Sequence, residues 1–248
     1  MSLDSSVCLV NHNHYHVPDF GAETLDVLYN PRFSFKNTEW NRTSHPSDFY
    51  IRAFDFLVSL AALMVMLPVL LLICLLIQAS SPGPVIFVQQ RVGKYGALFP
   101  CLKFRTMVPD AEERLQQLLA NSPSARQEWA NDQKLKNDPR ITAIGQFLRK
   151  TSLDELPQIL NIILGHMSIV GPRPIISPEI VRYGRKFDDY CKVRPGLTGL
   201  WQISGRNDIG YSERVALDVK YVQTRNLKLN VAICFKTLPA LLFARGCY

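Results

Sequence analysis

Residues 56–77, FLVSLAALMVMLPVLLLICLLI, run without a single charge, and no other feature limits the fold as strongly. At about 1.5 Å per residue, a straight helix of this length just crosses a hydrocarbon core of roughly 30 Å. The run begins too late, and is too long, for a secretory signal peptide. Buried helices of soluble domains rarely combine this length with this apolarity, so the segment is expected to enter a bilayer. Pro68 sits near its middle, removing a backbone hydrogen bond and disfavouring helical geometry at Leu67. Each half, about 10–12 residues, is too short to span alone. Arg32, Lys36, Arg42 and Arg52 precede the run, and Arg91, Lys94, Lys103 and Arg105 follow it. A single crossing would put one basic flank outside, against the positive-inside tendency. A helix that turns back keeps both flanks in the cytoplasm. Pro-kinked spans are also tolerated in membranes, so pattern alone leaves both topologies open.

The net charge of +7 and pI near 9.1 suit an anionic partner: nucleic acid, a phospholipid surface or a phosphorylated small molecule. No RNP motif, zinc-finger spacing or arginine-rich recognition helix is present, which sets nucleic acid aside. The six cysteines form no CxxC pair, arguing against a zinc site or disulfide framework and for a reducing compartment.

Three regions follow from composition. Residues 1–47 read as a flexible polar tail; its NHNHYH stretch (His12, His14, His16) resembles a metal tract less than a flexible tail, and the Asn41 sequon carries no weight in a cytoplasmic segment. Residues 48–80 hold the expected membrane helix, and 81–248 form the third region. In that region SSPGPVIFVQQRVGKYG and LFPCLKFRTM predict a small β-hairpin. Helices are expected at 110–120, where Asp110 and Glu113 have capping-box spacing, at 123–136 behind Ser122 and Pro123, and at 141–150. Residues 231–243 are apolar but too short to span, and suit an interfacial element.

The chemistry-bearing residues gather around TSLDELPQIL (151–160). Lys103, Arg105, Arg140, Arg149 and Lys150 lie upstream, and Arg173 follows between two prolines that restrict where its guanidinium points. The Gly/Pro-rich VRPGLTGLWQISGRN (193–207) adds Arg194, Arg206 and Trp201, an aromatic that can stack on a base; its glycines would admit a ligand close to the backbone. No Walker loop or GxGxxG fingerprint occurs. Ser152 and Glu155 have capping-box spacing, but Pro157 then falls one position beyond the free turn. With Asp154 as the cap, Pro157 is accommodated and the helix dipole favours an ionised Asp154. An ionised carboxylate among phosphate-gripping arginines is what attack on phosphorus would use.

FVQQRVG, KFRTM, DPRIT.IG.FLRKTSLDELPQ, MSIVGPRP and RPGLTGLWQISGR together resemble the bacterial sugar transferase family, the monotopic polyprenol-phosphate phosphoglycosyl transferases, from about Phe54 to Leu242. The resemblance implies an α+β, predominantly helical, monotopic membrane protein with a Pro-kinked re-entrant helix, a small β-hairpin and interfacial amphipathic helices. It implies that residues 81–248 form a membrane-associated cytoplasmic catalytic domain. It implies transfer of a sugar-1-phosphate from a UDP-sugar donor to undecaprenyl phosphate at the cytoplasmic face of the bacterial inner membrane, with Mg²⁺ as cofactor. By that resemblance Asp154 is the nucleophile and Glu155 its partner, both serving the metal, while Lys103, Arg105, Arg149, Arg173 and Arg206 bind substrate phosphates. Membrane lipids are further partners, a homo-oligomer is compatible with it, and nucleic acid is not a partner. The family's usual serine before the kink proline is Leu67 here, which removes a hydroxyl that could bond freed backbone groups. The insert ERLQQLLANSPSARQEWANDQKLKNDPRIT and the terminal ARGCY resemble members that start exopolysaccharide or O-antigen synthesis with a hexose, glucose or galactose. The rival is a non-catalytic membrane-associated subunit that binds nucleotide-sugar or lipid phosphate.

Overall fold

The computed structural model describes residues 47–132, 135, 137–204 and 209–242. Apart from Ser47, the expected tail with its histidines and Asn41 lies outside them, as does Arg206. Helix α1 (Ser47–Ser80) is the one described helix long and apolar enough to cross a membrane, and Pro68 lies within it. Its two ends pack on protein, whereas none of residues 60–72 is buried. At the start, Ile51, Asp55 and Ser59 are buried; Arg52 donates to the carbonyls of Ile162 and Ile163, and Asp55 Oδ1 accepts from Ile169 N at 3.1 Å. At the finish, Ile73 and Ile77 join a cluster with Phe104 and Leu148, against which Leu153 and Leu156 pack.

The expected hairpin is present. Strand β1 (Ile86–Val92) pairs antiparallel with β2 (Leu98–Phe104), from Ile86 opposite Phe104 to Val92 opposite Leu98. The turn between them carries Tyr95 and Gly96 at positive φ. Helix α2 (Ala111–Asn121) forms where expected, but not by the expected capping box: Asp110 makes no side-chain cap bond and instead accepts from Arg114 Nε at 2.9 Å. Helix α3 (Pro123–Asp132) does start behind a Ser122 cap, whose Oγ accepts from Ala125 N. Helix α4 (Ala143–Thr151) starts at Thr142, whose Oγ1 accepts from Gly145 N at 2.9 Å.

Helix α5 (Gln158–Ile163) leads to β3 (Ser168–Val170), which pairs parallel with β4 (Gly196–Thr198) across two short helices, α6 (Ile180–Tyr183) and α7 (Phe187–Tyr190). This second sheet was not expected. It explains the glycines of the 193–207 stretch: a Cβ on Gly196 would lie 2.0 Å from Gly171 N, and one on Gly199 would lie 2.3 Å from Gly171 O. They let backbone approach backbone, not a ligand. Helices α8 (Leu200–Ile203), α9 (Tyr211–Thr224) and α10 (Leu227–Leu242) complete the described residues; Tyr221 and Ile233 pack on Val170. The apolar 231–243 stretch is thus mostly the later part of α10, with Phe235 exposed.

Candidate active site

The acidic pair sits in a corner between two helices. Helix α4 ends at Ser152, which takes the left-handed conformation (φ 57°) and sends its N–H back to Leu148 O and Arg149 O. A 3₁₀ turn, Leu153–Glu155, follows directly and runs into Pro157, which caps α5 without a side-chain bond. Neither cap expected from the sequence forms. Ser152 closes the preceding helix, and Asp154 stands inside the 3₁₀ turn. Pro157 is tolerated because it stands at the N-cap of α5, where a helix has no use for an N–H.

This placement reverses the expected electrostatics of Asp154. Burial pushes its carboxyl up to about 6, and the neighbouring Glu155 charge adds to that, while Lys103 and Arg149 pull it back. Lys103, on β2, forms the nearest contact: its Nζ is 2.6 Å from Glu155 Oε1. Arg149, in the last turn of α4, donates from Nε to Thr106 Oγ1 at 2.8 Å and feels the Asp154 charge. Gly145 lets α4 lie against Thr106, because a Cβ there would be 2.0 Å from Thr106 O. Lys103 and Arg149 are therefore gathered around the pair.

The other basic residues divide. Arg105 faces away: its guanidinium donates to Pro82 O at 2.8 Å, Ser81 O at 2.7 Å and Ser81 Oγ at 3.0 Å, fixing the turn that leaves α1. Arg173 lies in a separate cationic cluster, with its guanidinium carbon 5.7 Å from the Trp201 ring centre. Trp201 is only 6% exposed and also carries Arg214 at 4.5 Å. It therefore orders two arginines and does not offer a face to a base. Arg91 joins the two regions. It donates to Pro174 O at 2.9 Å and lies 3.9 Å from Glu179, within electrostatic reach of both Arg173 and Glu155. Sequence reasoning placed Arg91 only as a membrane flank, and did not weigh Arg214. The FVQQRVG motif held the one available hint.

Among the described residues no third Asp, Glu, His or Cys joins the pair to form a metal cluster. Two adjacent carboxylates still fit Mg²⁺, which commonly takes one or two protein carboxylates and completes its shell with water and substrate phosphates.

These features define a class of protein that carries an acidic pair among cations, on a body attached to one long apolar helix. The chain belongs to the bacterial sugar transferase family, whose model matches residues 46–244. It is 50% identical over 208 residues to an undecaprenyl-phosphate galactose phosphotransferase of Salmonella typhimurium, covering 84% of this chain and 44% of that protein. It is 48% identical over 197 residues to the exopolysaccharide production protein ExoY of Sinorhizobium fredii, covering 79% and 87%. It is 44% identical over 232 residues to a UDP-galactose-lipid carrier transferase of Erwinia amylovora, covering 94% and 48%. The chain thus spans less than half of the Salmonella and Erwinia proteins and most of ExoY.

Proposed function

We propose that this chain transfers a hexose-1-phosphate, of glucose or galactose, from a UDP-sugar to undecaprenyl phosphate, releasing UMP and initiating exopolysaccharide or O-antigen synthesis. The observation that carries the reading is the half-buried Asp154 beside a Glu155 paired with Lys103 at 2.6 Å. The names of the Salmonella and Erwinia relatives, which specify undecaprenyl phosphate, UDP-galactose and a lipid carrier, support the substrates.

Above about pH 6 Asp154 is mainly ionised. One of its carboxylate oxygens attacks the phosphorus bearing the sugar; the P–O bond to UMP breaks, and UMP leaves with the electron pair. The resulting aspartyl phosphosugar is then attacked by a phosphate oxygen of undecaprenyl phosphate, which returns Asp154 as a carboxylate. Lys103 and Arg149 offset charge as it shifts to the leaving phosphate, and Arg173 and Arg206 are assigned to substrate phosphates. Mg²⁺, held by Asp154 and Glu155, would neutralise the donor's pyrophosphate.

The reading places α1 as a re-entrant helix at the cytoplasmic face of the inner membrane. Arg52 bonds Ile162, and Leu156 packs against the cluster that holds Ile73. Along a straight helix Arg52 and Ile73 lie ~31 Å apart, whereas Leu156 and Ile162 are only ~9 Å apart at the same rise. A helix that bends back accommodates both contacts.

Incubation with UDP-galactose or UDP-glucose and Mg²⁺, without lipid acceptor, tests the covalent route. UMP is expected up to about one equivalent, with a hexose-phosphate mass on the peptide holding Asp154. Turnover with acceptor but no UMP without it would favour direct displacement. No UMP under either condition would favour a binding subunit.

A further inference from the structure

Asn161 lies beyond the acidic pair, is fully buried, and has both ends of its amide engaged on one strand. Its Nδ2 donates to Pro100 O at 2.7 Å, and its Oδ1 accepts from Leu102 N at 2.9 Å. These two groups lie on the edge of β2 that β1 leaves open, so one side chain supplies the donor and acceptor a third strand would supply. Its own carbonyl accepts from His166 N and Met167 N, which fixes the end of α5.

The spacing ties this lock to the pair. Between Ser152 and Leu160 the amides of Glu155, Leu156, Ile159 and Leu160 bond three residues back. The 3₁₀ turn leads into α5, and residues three apart neighbour one another on a helix surface, so Glu155, Gln158 and Asn161 follow one side. That face meets β2 twice: Glu155 touches Lys103, and Asn161 grips Pro100 and Leu102, the residue immediately before Lys103. A shift of β2 along the helix would break both contacts together.

We infer that Asn161 is a positioning residue that sets where Lys103 stands against the acidic pair. The inference rests on the proposed role of Lys103 in phosphoryl transfer. Asn161 touches no reacting group, so its effect on the reaction passes through Lys103. Misplacement of a catalytic group by about 1 Å can cost on the order of 10²-fold in rate.

A double-mutant cycle on the full chain in detergent or nanodiscs decides it, reading steady-state UMP release from UDP-galactose and from UDP-glucose with undecaprenyl phosphate present. Asn161→Ala and Asn161→Asp are each measured alone and with Lys103→Met. The aspartate keeps the acceptor for Leu102 N and loses the donor to Pro100 O, so it retains part of the lock if the alanine variant fails to fold. Alone, each Asn161 variant should lower kcat by about tenfold or more with little change in KM. In the Lys103→Met background the same change should cost less than about twofold, since the group being positioned is already gone. An equal loss in both backgrounds would overturn the inference and leave Asn161 a purely structural lock. A wild-type rate for Lys103→Met would overturn the role of Lys103, and with it the premise of the inference.

Discussion

The Arg52 guanidinium, near the start of the long apolar helix α1, donates to Ile162 O at 2.6 Å and to Ile163 O at 2.8 Å, more than a hundred residues along the chain. Those carbonyls close the end of α5, where helix acceptors lack partners and the dipole favours a cation. The same helix begins just after Asp154 and Glu155. The long apolar helix therefore caps the helix that carries the acidic pair forward. Arg52→Ala should lose about 1.5–3 kcal/mol, the range for hydrogen bonds to charged groups. Arg52→Lys should lose less, because it keeps the charge and one bond. Thermal unfolding of the solubilised full chain would measure both.

The raised carboxyl of Asp154 fixes the sign of the pH response. Attack needs the ionised form, so UMP release without lipid acceptor should rise with pH through about 6 and level off above it. Lys103 is the strongest of the charges that lower this value. Lys103→Met should therefore move the midpoint upward as well as slow the reaction. Added divalent cation should move it downward by favouring the ionised form. Single-turnover rates from pH 5 to 8 would show these shifts.

Asp154→Asn separates charge from structure. The folded chain holds the Asp154 proton more tightly than the unfolded chain, whose value is near 3.8. Asp154 thus favours the fold most below that value, and its contribution declines as pH rises through about 6. The Asn variant escapes that decline, so at pH 7–8 it should melt at or above the wild-type temperature. Its side chain cannot attack phosphorus, and UMP release should fall by at least about 10³-fold. A variant that melts normally and still turns over would remove Asp154 from the chemistry.

Gly145 is a test of how α4 is seated. An alanine there would drive its Cβ into Thr106 O, C and Cα at 2.0, 2.7 and 2.8 Å, all backbone. Neither partner can swing aside, so α4 and the Thr106 backbone, just beyond β2, must separate. The loss should be about 1–3 kcal/mol or more. Arg149, whose Nε is bonded to Thr106 Oγ1 from the same helix, would move with it. Gly145→Ala should thus lower both the melting temperature and UMP release, while Gly210→Ala, with open space around it, should change neither packing contact.

Features set by local chemistry were legible in the sequence. The apolar run gave α1, the Pro/Gly turn gave the hairpin, and Ser122 and Pro123 gave the start of α3. The acidic pair stood out because Pro157 conflicts with an ordinary capping box. What the sequence could not carry were choices settled by distant backbone. Strands β3 and β4 are three residues each, too short for any period, and are joined by glycines whose partners lie more than twenty residues away. Arg105 reads like a phosphate ligand until the carbonyls of Ser81 and Pro82 are seen to claim it. Asp154 reads like a cap until Ser152 turns left-handed and makes the intervening turn 3₁₀.

Pro68 offers the sharpest test of how the chain meets the membrane. The helix on either side of it is anchored to the same body, by Arg52 and Asp55 at one end and by Ile73 and Ile77 at the other. Cysteines at Ser47 and at the exposed Gln90 should both be shielded from an impermeant thiol reagent in intact cells. In Pro68→Ala the missing backbone bond is restored, and a straight helix of this length fits the hydrocarbon core. Both anchors cannot then be kept. The C-terminal end is joined through a short turn to β1 and the rest of the body, so the N-terminal end should be released. The cysteine at 47 should become reactive from outside while that at 90 stays shielded. Arg52 would leave Ile162, and UMP release should fall with the change in labelling. Labelling of position 47 with Pro68 intact would mean that α1 already crosses, and the re-entrant reading would be lost.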